Sequence, residues 1–237
     1  MTNSAFSEYR SIRDLDFDPV RTSVLVIDML NDFLEPEGAM PLLEGRSLYQ
    51  PIGRLLRAAR DSGAAVIWVC DEHPPLDREF EKRSVHCLKG SWGAEIVTEL
   101  EPEEDEYRVP KRRYSGFYET DLDLRLRELG IEHLILTGVV TNICVRSTAH
   151  DAFFRGYNVI VPIDCVAATS EREQQSTLYD LDTHYATVTG LDEVLAILSL
   201  QERSDVGGST PKGGGGFFSL QERSDVGGST PKGGGGS

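Results

Sequence analysis

Residues 134–165 read LILTGVVTNICVRSTAHDAFFRGYNVIVPIDC. The apolar run from His133 to Val140 has the pattern of a strand buried on both faces, an amphipathic helical pattern follows from about Cys144 to Phe154, and Asn158 to Asp164 is a second apolar strand. Strand, helix and strand in so short a span make a βαβ unit, whose two strands run parallel. Cys144 falls at the junction of strand and helix. Unpaired N–H groups and the helix dipole stabilise an anion there, so the position predicts a thiol that ionises below its ordinary range. The same residue reads equally as a small inert hydrophobe in the core.

The alternation continues to both sides. Ser23 to Asp28 is a strand pattern, an irregular stretch with Pro36, Gly38 and Pro41 follows, and a helix is predicted from Leu48 to Arg60, closed by Ser62-Gly63. Ala64 to Cys70 reads as a buried strand, Asp71 to Gly93 as a long loop, Ala94 to Leu100 as a short helix and Tyr107 to Lys111 as a strand. Loops of that length in a compact domain tend to be functional. Thr120 can cap a helix from Asp121 to Leu129 that Gly130 ends, and a further helix spans Glu171 to Tyr185. The expected fold is α/β: a three-layer α/β/α arrangement around a mostly parallel sheet. In such sheets catalytic groups gather at the carboxyl ends of strands. Asp28 and Lys111 each end a strand pattern and Cys144 follows a third, which brings a carboxylate, an ammonium and a thiol toward one edge.

Composition agrees with one globular domain. The chain has 237 residues, 39% of them hydrophobic, enough for one sizeable core. Acidic residues outnumber basic ones by 39 to 24, and no basic stripe with interleaved aromatics appears, which argues against a nucleic-acid partner. The start of the chain is polar without an apolar signal core, and no apolar run is long enough to span a membrane, so no membrane association and a cytoplasmic location are expected. Cys70, Cys87, Cys144 and Cys165 lack the spacing of a zinc finger or a disulfide framework, as suits a reducing compartment.

The last stretch is of another kind. Ser199 to Gly216 recurs identically as Ser219 to Gly236, separated by Phe217-Phe218. Its Gly, Ser, Pro and charge content cannot support a packed core, so a domain over 1–198 and a flexible tail over 199–237, either a linker of artificial origin or a recent duplication, are expected.

Three segments together resemble the signatures of the isochorismatase-like cysteine hydrolase superfamily, which includes the nicotinamidases. They are VLVIDMLNDFL (24–34), VPKRRYSGFYETDLDLRLRELGI (109–131) and residues 134–165 quoted above. The resemblance implies a triad of Asp28, Lys111 and Cys144, and a cis peptide between Val139 and Val140 whose turn aims the N–H groups of Val140 and Cys144 at an oxyanion. It further implies a homo-oligomer and a small-molecule amide or ureido substrate, cleaved through a thioester. Isochorismate hydrolysis itself is disfavoured, because the vinyl-ether hydrolases of the superfamily do not rely on a cysteine at this position. Phe33, Trp92, Tyr114 and Phe117 are candidate walls of the pocket, and Arg112, Arg113 or Arg146 can pair with a substrate carboxylate.

Asp71, His73 and His86 are similar to the metal-binding segment of nicotinamidases, and a carboxylate with two imidazoles suits zinc, iron or manganese. Nicotinamidases, however, carry more sequence between these histidines and a longer insert after the lysine. The short segments here are more similar to metal-independent amidohydrolases, so the primary expectation is no cofactor, with a metal-dependent nicotinamidase as the alternative. A noncatalytic oligomeric binding or scaffold member of the fold is a second alternative, opposed by the presence of all three triad residue types.

Overall fold

The structure, a computed structural model, describes residues 15–206, with side chains as far as Ser199. The first half contains β1 (Thr22–Ile27), α1 (Asn31–Leu34), α2 (Tyr49–Ser62), β2 (Ala65–Asp71), β3 (Tyr107–Lys111) and α3 (Leu122–Glu128). The second contains β4 (His133–Val139), α4 (Arg146–Phe154), β5 (Asn158–Pro162), β6 (Val166–Ala167), α5 (Glu171–His184), β7 (Thr187–Thr189) and α6 (Leu191–Val206). The strands form one sheet in the order β3-β2-β1-β4-β5-β7, with β6 beside the end of β4, and every pairing is parallel.

Period-two alternation explains the three layers. Val24 and Val26 of β1 face Ile52, Leu55, Leu56 and Ala59 of α2 and Leu191, Val194 and Leu198 of α6. Leu25 and Ile27 face Leu122 and Leu126 of α3, Ala149 and Ala152 of α4 and Leu181 of α5. A strand covered on both sides has no solvent face, which is why β1 reads as an unbroken apolar run. Each large apolar side chain buried in this way contributes about 1.5–3 kcal/mol.

Local signals account for most boundaries. Gly63 closes α2 in the left-handed conformation at φ 78°, and the Ser170 hydroxyl accepts from the Glu173 N–H at the start of α5. Thr120, the anticipated cap, accepts from the Leu122 N–H through its hydroxyl, and α3 begins one residue later than anticipated, with Asp121 in the cap position. Gly138, at φ 104°, lies so close to the Ile27 carbonyl that a Cβ would overlap it, so β1 and β4 meet there through backbone alone.

One expectation fails for a tertiary reason. Ala94 to Leu100 is not a helix beyond a 3-10 turn at Trp92–Ala94. Instead the Asn31 N–H donates to the Glu95 carbonyl, the Val97 N–H donates to the Met29 carbonyl, and Ile96 bridges Leu30 in antiparallel fashion. Extended pairing with the chain leaving β1 thus replaces the helical bonds. The last described helix, α6, runs to Val206 and is built on the stripe Leu191, Val194, Leu195 and Leu198. The rest of the duplicated tail lies outside the described residues. No helix among the described residues is long and apolar enough to cross a membrane.

Candidate active site

Strand order decides which residues meet. From β1 the chain winds outward through β2 to β3, returns to the middle as β4 and continues to β5, so the direction of winding reverses between β1 and β4. Crevices at the carboxyl ends of strands flanking such a switch point are where open α/β sheets bind ligands. Four adjacent strand ends deliver the candidate groups: Lys111 from β3, Asp71 from β2, Asp28 just past β1, and, beyond β4, Cys144 in a single π-helical turn at Thr141–Val145. The Val139–Val140 peptide is cis, as the resemblance implied, and among the described residues the Val140 N–H has no backbone acceptor.

Asp28 has φ 53°, a left-handed conformation that aspartate tolerates better than most residues, and it turns the carboxylate across the strand ends. Its Oδ1 accepts the Asp71 N–H at 2.8 Å, which fixes the plane of the carboxylate. Its Oδ2 lies 2.8 Å from Lys111 Nζ as an ion pair, but among the described residues no donor is aligned on that oxygen. Lys111 Nζ also donates to Asp71 and stands 3.7 Å from Cys144 Sγ. The carboxylate oxygens of Asp28 and Asp71 and the sulfur of Cys144 all lie within 4.8 Å of one another.

Burial sets the electrostatics. It raises the Asp28 pKa, with help from the Asp71 charge and against Lys111, to about 6. Burial also acts to raise Asp71, but the Lys111 ammonium and the two imidazoles beside it hold that carboxyl well below its usual range. Lys111, although buried, is kept charged by the two carboxylates. Cys144 departs from expectation. With 7% of its surface exposed and two carboxylates beside it, its thiol is pushed well above the ordinary cysteine range, and Lys111 only partly offsets this. Burial and like charge outweigh the favourable helix start, so the resting sulfur keeps its proton.

Beside this group the imidazoles of His73 and His86 meet, ring centroids 4.9 Å apart. The Asp71 carboxylate and one nitrogen from each ring lie within 4.8 Å of one another, all buried. His86 Nδ1 faces the Ser84 carbonyl at 2.7 Å and His73 Nδ1 faces Asp77 at 3.1 Å, which leaves both Nε2 atoms toward Asp71, at 3.7 and 3.8 Å. Those gaps are too long for hydrogen bonds. His73 Nε2 is buried and has no partner among the described residues. An orphaned imidazole nitrogen next to a carboxylate and a second imidazole fits a divalent cation.

The sequence model of the isochorismatase domain matches residues 22–193. The chain belongs to the isochorismatase family. Among solved structures similar to it, an isochorismatase-like hydrolase from Alkaliphilus metalliredigens is 38% identical, covering 74% of this chain and 98% of that one with a TM-score of 0.72. N-carbamoylsarcosine amidase from Thermoplasma acidophilum is 36% identical over 73% and 97% of the two chains, TM-score 0.67. The pyrazinamidase of Pyrococcus horikoshii, solved in complex with zinc, is 29% identical over 72% and 99%, TM-score 0.68.

The aromatic residues anticipated around this isochorismatase-family site divide. The Phe33 ring lies 5.5 Å from that of His86, and Phe80, for which the sequence carries no obvious signal, lies 5.6 Å from His86 and 5.3 Å from His73. Trp92 and Tyr114 leave 48% and 36% of their surface exposed on the segments after β2 and β3. Phe117, by contrast, is core: it stacks on Tyr157 and carries the Arg155 guanidinium 4.9 Å from its ring centroid. The arginines are also engaged. Arg112 and Arg113 pair with Asp77, and Arg146 pairs with Asp180.

Proposed function

We propose that this isochorismatase-family chain is a cysteine-dependent amidohydrolase that cleaves a C–N amide or ureido bond of a small molecule through a thioester. The observation that carries the reading is the convergence of Asp28 Oδ2, Lys111 Nζ and Cys144 Sγ in a buried cluster, with Nζ 2.8 Å from the oxygen and 3.7 Å from the sulfur.

The pKa values dictate the order of events. Because the resting sulfur is protonated, attack on the substrate carbonyl carbon proceeds as Asp28 Oδ2 takes the Sγ proton. Oδ2 is the oxygen available for this, since Oδ1 is occupied by the Asp71 N–H. The new C–S bond pushes the carbonyl electrons onto oxygen, where the N–H groups of Val140 and Cys144 receive the charge. On collapse the C–N bond breaks and Asp28 returns the proton to the departing nitrogen. Water, giving its proton to Asp28, then attacks the thioester carbon, and the sulfur leaves and recovers that proton. Lys111 stays charged throughout, holding Asp28 in place and offsetting the negative charge that passes between oxygen and sulfur.

Ammonia release from a panel of nicotinamide, carbamoyl amino acids, ureidoacrylate-like and biuret-like amides tests the activity and ranks substrates together. No release from any member, with the fold intact, would favour the noncatalytic reading. The pH profile tests the base. Asp28 must be ionised to accept the proton, so kcat/KM is expected to fall tenfold per unit below pH 6, following the carboxyl that burial raises to about 6. An acid limb near the ordinary carboxylate value of about 4 would remove Asp28 from this role.

The orphaned His73 Nε2 favours a second reading, a metal-dependent amidase of the nicotinamidase type, over the metal-free pocket anticipated from the short segments. Asp71, His73 and His86 would hold the cation, which when bound supplies a positive charge and a Lewis acid beside the triad. Dialysis against zinc is expected to leave about one equivalent per chain, lost on His86→Ala. Turnover insensitive to a strong chelator, with no bound metal by elemental analysis, would return both histidines to the pocket wall.

A further inference from the structure

His73 is held differently from His86. The Nδ1 of His86 meets a neutral backbone carbonyl, whereas that of His73 meets the carboxylate of Asp77, on the segment after β2, and both of these side chains are fully buried. Asp77 is densely bonded: Oδ1 accepts from the Glu79 N–H and from Arg113 at 3.0 Å each, and Oδ2 accepts from Arg112 at 3.2 and 3.3 Å. Burial opposes its charge, but these donors and His73 hold the carboxyl well below its usual range. A carboxylate of this kind only accepts, so the ring nitrogen facing it must carry a proton, and a neutral imidazole then presents a bare lone pair on its other nitrogen. That other nitrogen is the orphaned Nε2.

We propose that Asp77 is the positioning residue that keeps the His73 proton on Nδ1 and so turns the Nε2 lone pair into the cluster formed with Asp71 and His86. Its consequence for cation affinity rests on the second reading above. A carboxylate behind a ligating imidazole fixes the ring and strengthens it as a donor, and removing such a partner typically weakens metal affinity roughly 10- to 100-fold. The exposed arginines then serve Asp77 rather than a substrate carboxylate. The competing account is that Asp77 only staples the segment after β2 to that after β3, through Arg112 and Arg113.

Two measurements on the full chain separate these accounts: two-bond 15N–1H correlation of labelled histidines on the alkaline side of the His73 titration, and zinc affinity by competition with a chromophoric chelator. The wild type should show His73 as the Nδ1–H tautomer. Asp77→Asn should mix the tautomers and weaken zinc binding roughly 10- to 100-fold. Asp77→Glu, which keeps a carboxylate, should retain the tautomer and most of the affinity. The double variant Arg112→Gln, Arg113→Gln should lower Tm while leaving tautomer and affinity in place. An Nε2–H tautomer in the wild type, an unchanged tautomer in Asp77→Asn, or a double variant as impaired in both readouts as Asp77→Asn would overturn the proposal. If the wild type takes up no zinc, the cation reading fails, and the tautomers still decide the role of Asp77.

Discussion

Cys144→Ser should lower turnover about 10⁴- to 10⁶-fold, the range seen when a nucleophile acting in concert with its base is disabled. The substitution is nearly isosteric in a site where the sulfur is 7% exposed, so the melting temperature should move little. The size of the effect follows from acidity. Burial already places the thiol well above its ordinary range, and a hydroxyl is several units less acidic still, so proton transfer to Asp28 during attack is much more uphill and the oxygen is the poorer nucleophile in this site. Ammonia release under saturating substrate, with circular dichroism to confirm the fold, checks it. Residual activity above a few per cent of wild type would remove Cys144 from the mechanism.

Lys111→Met should damage stability and activity together. Although burial works against its charge, the ammonium is fully enclosed and is the shared counter-ion of Asp28 and Asp71. Removing one member of a buried ionic group costs about 3–5 kcal/mol because the others are left unpaired. For a domain of this size that is a fall in Tm of roughly 6–20 °C at alkaline pH. The sign with pH is definite. Without Lys111 the two folded-state carboxyl pKa values rise above their unfolded values, so the loss is largest where both would be ionised and is recovered as falling pH lets the folded state take up a proton. A Tm at alkaline pH within a few degrees of wild type would mean that the three groups do not share charge in this way.

The convergence of Asp28, Lys111 and Cys144 was legible because two of them end strand patterns and the third follows one closely, and in a parallel sheet all such ends point one way. Asp28 and Lys111 needed no tertiary information beyond that. The acidity of Cys144 was not legible: the helix start is a local feature, but the burial and the carboxylates that overrule it come from β1 and β2. Asp77 gives no signal in isolation, since an aspartate four residues after a histidine becomes informative only when the chain folds it back onto the ring. Phe117 and the arginines fail similarly, as aromatic and cationic side chains near a site are claimed first by whatever partners the fold supplies. The final helix carries a local signal in its apolar stripe from Leu191 to Leu198, while the low-complexity repeat that follows has no comparable apolar pattern.

The seating of the site on four neighbouring strand ends has a bearing on cooperativity. The N–H of Asp28 donates to the Val69 carbonyl and that of Asp71 to the Asp28 carboxylate, so the groups proposed for chemistry belong to the hydrogen-bonded ladder of the sheet's centre. Fraying of α6 or of the edge strand β7 leaves that ladder whole, whereas Lys111 rides on β3, the opposite edge of the sheet, and parts from Asp28 when β3 alone separates from β2. The carboxylates of Asp28 and Asp71 are thus fixed by the interior strands, while their ammonium partner is held by an edge strand whose local opening would break the ion pair without global unfolding.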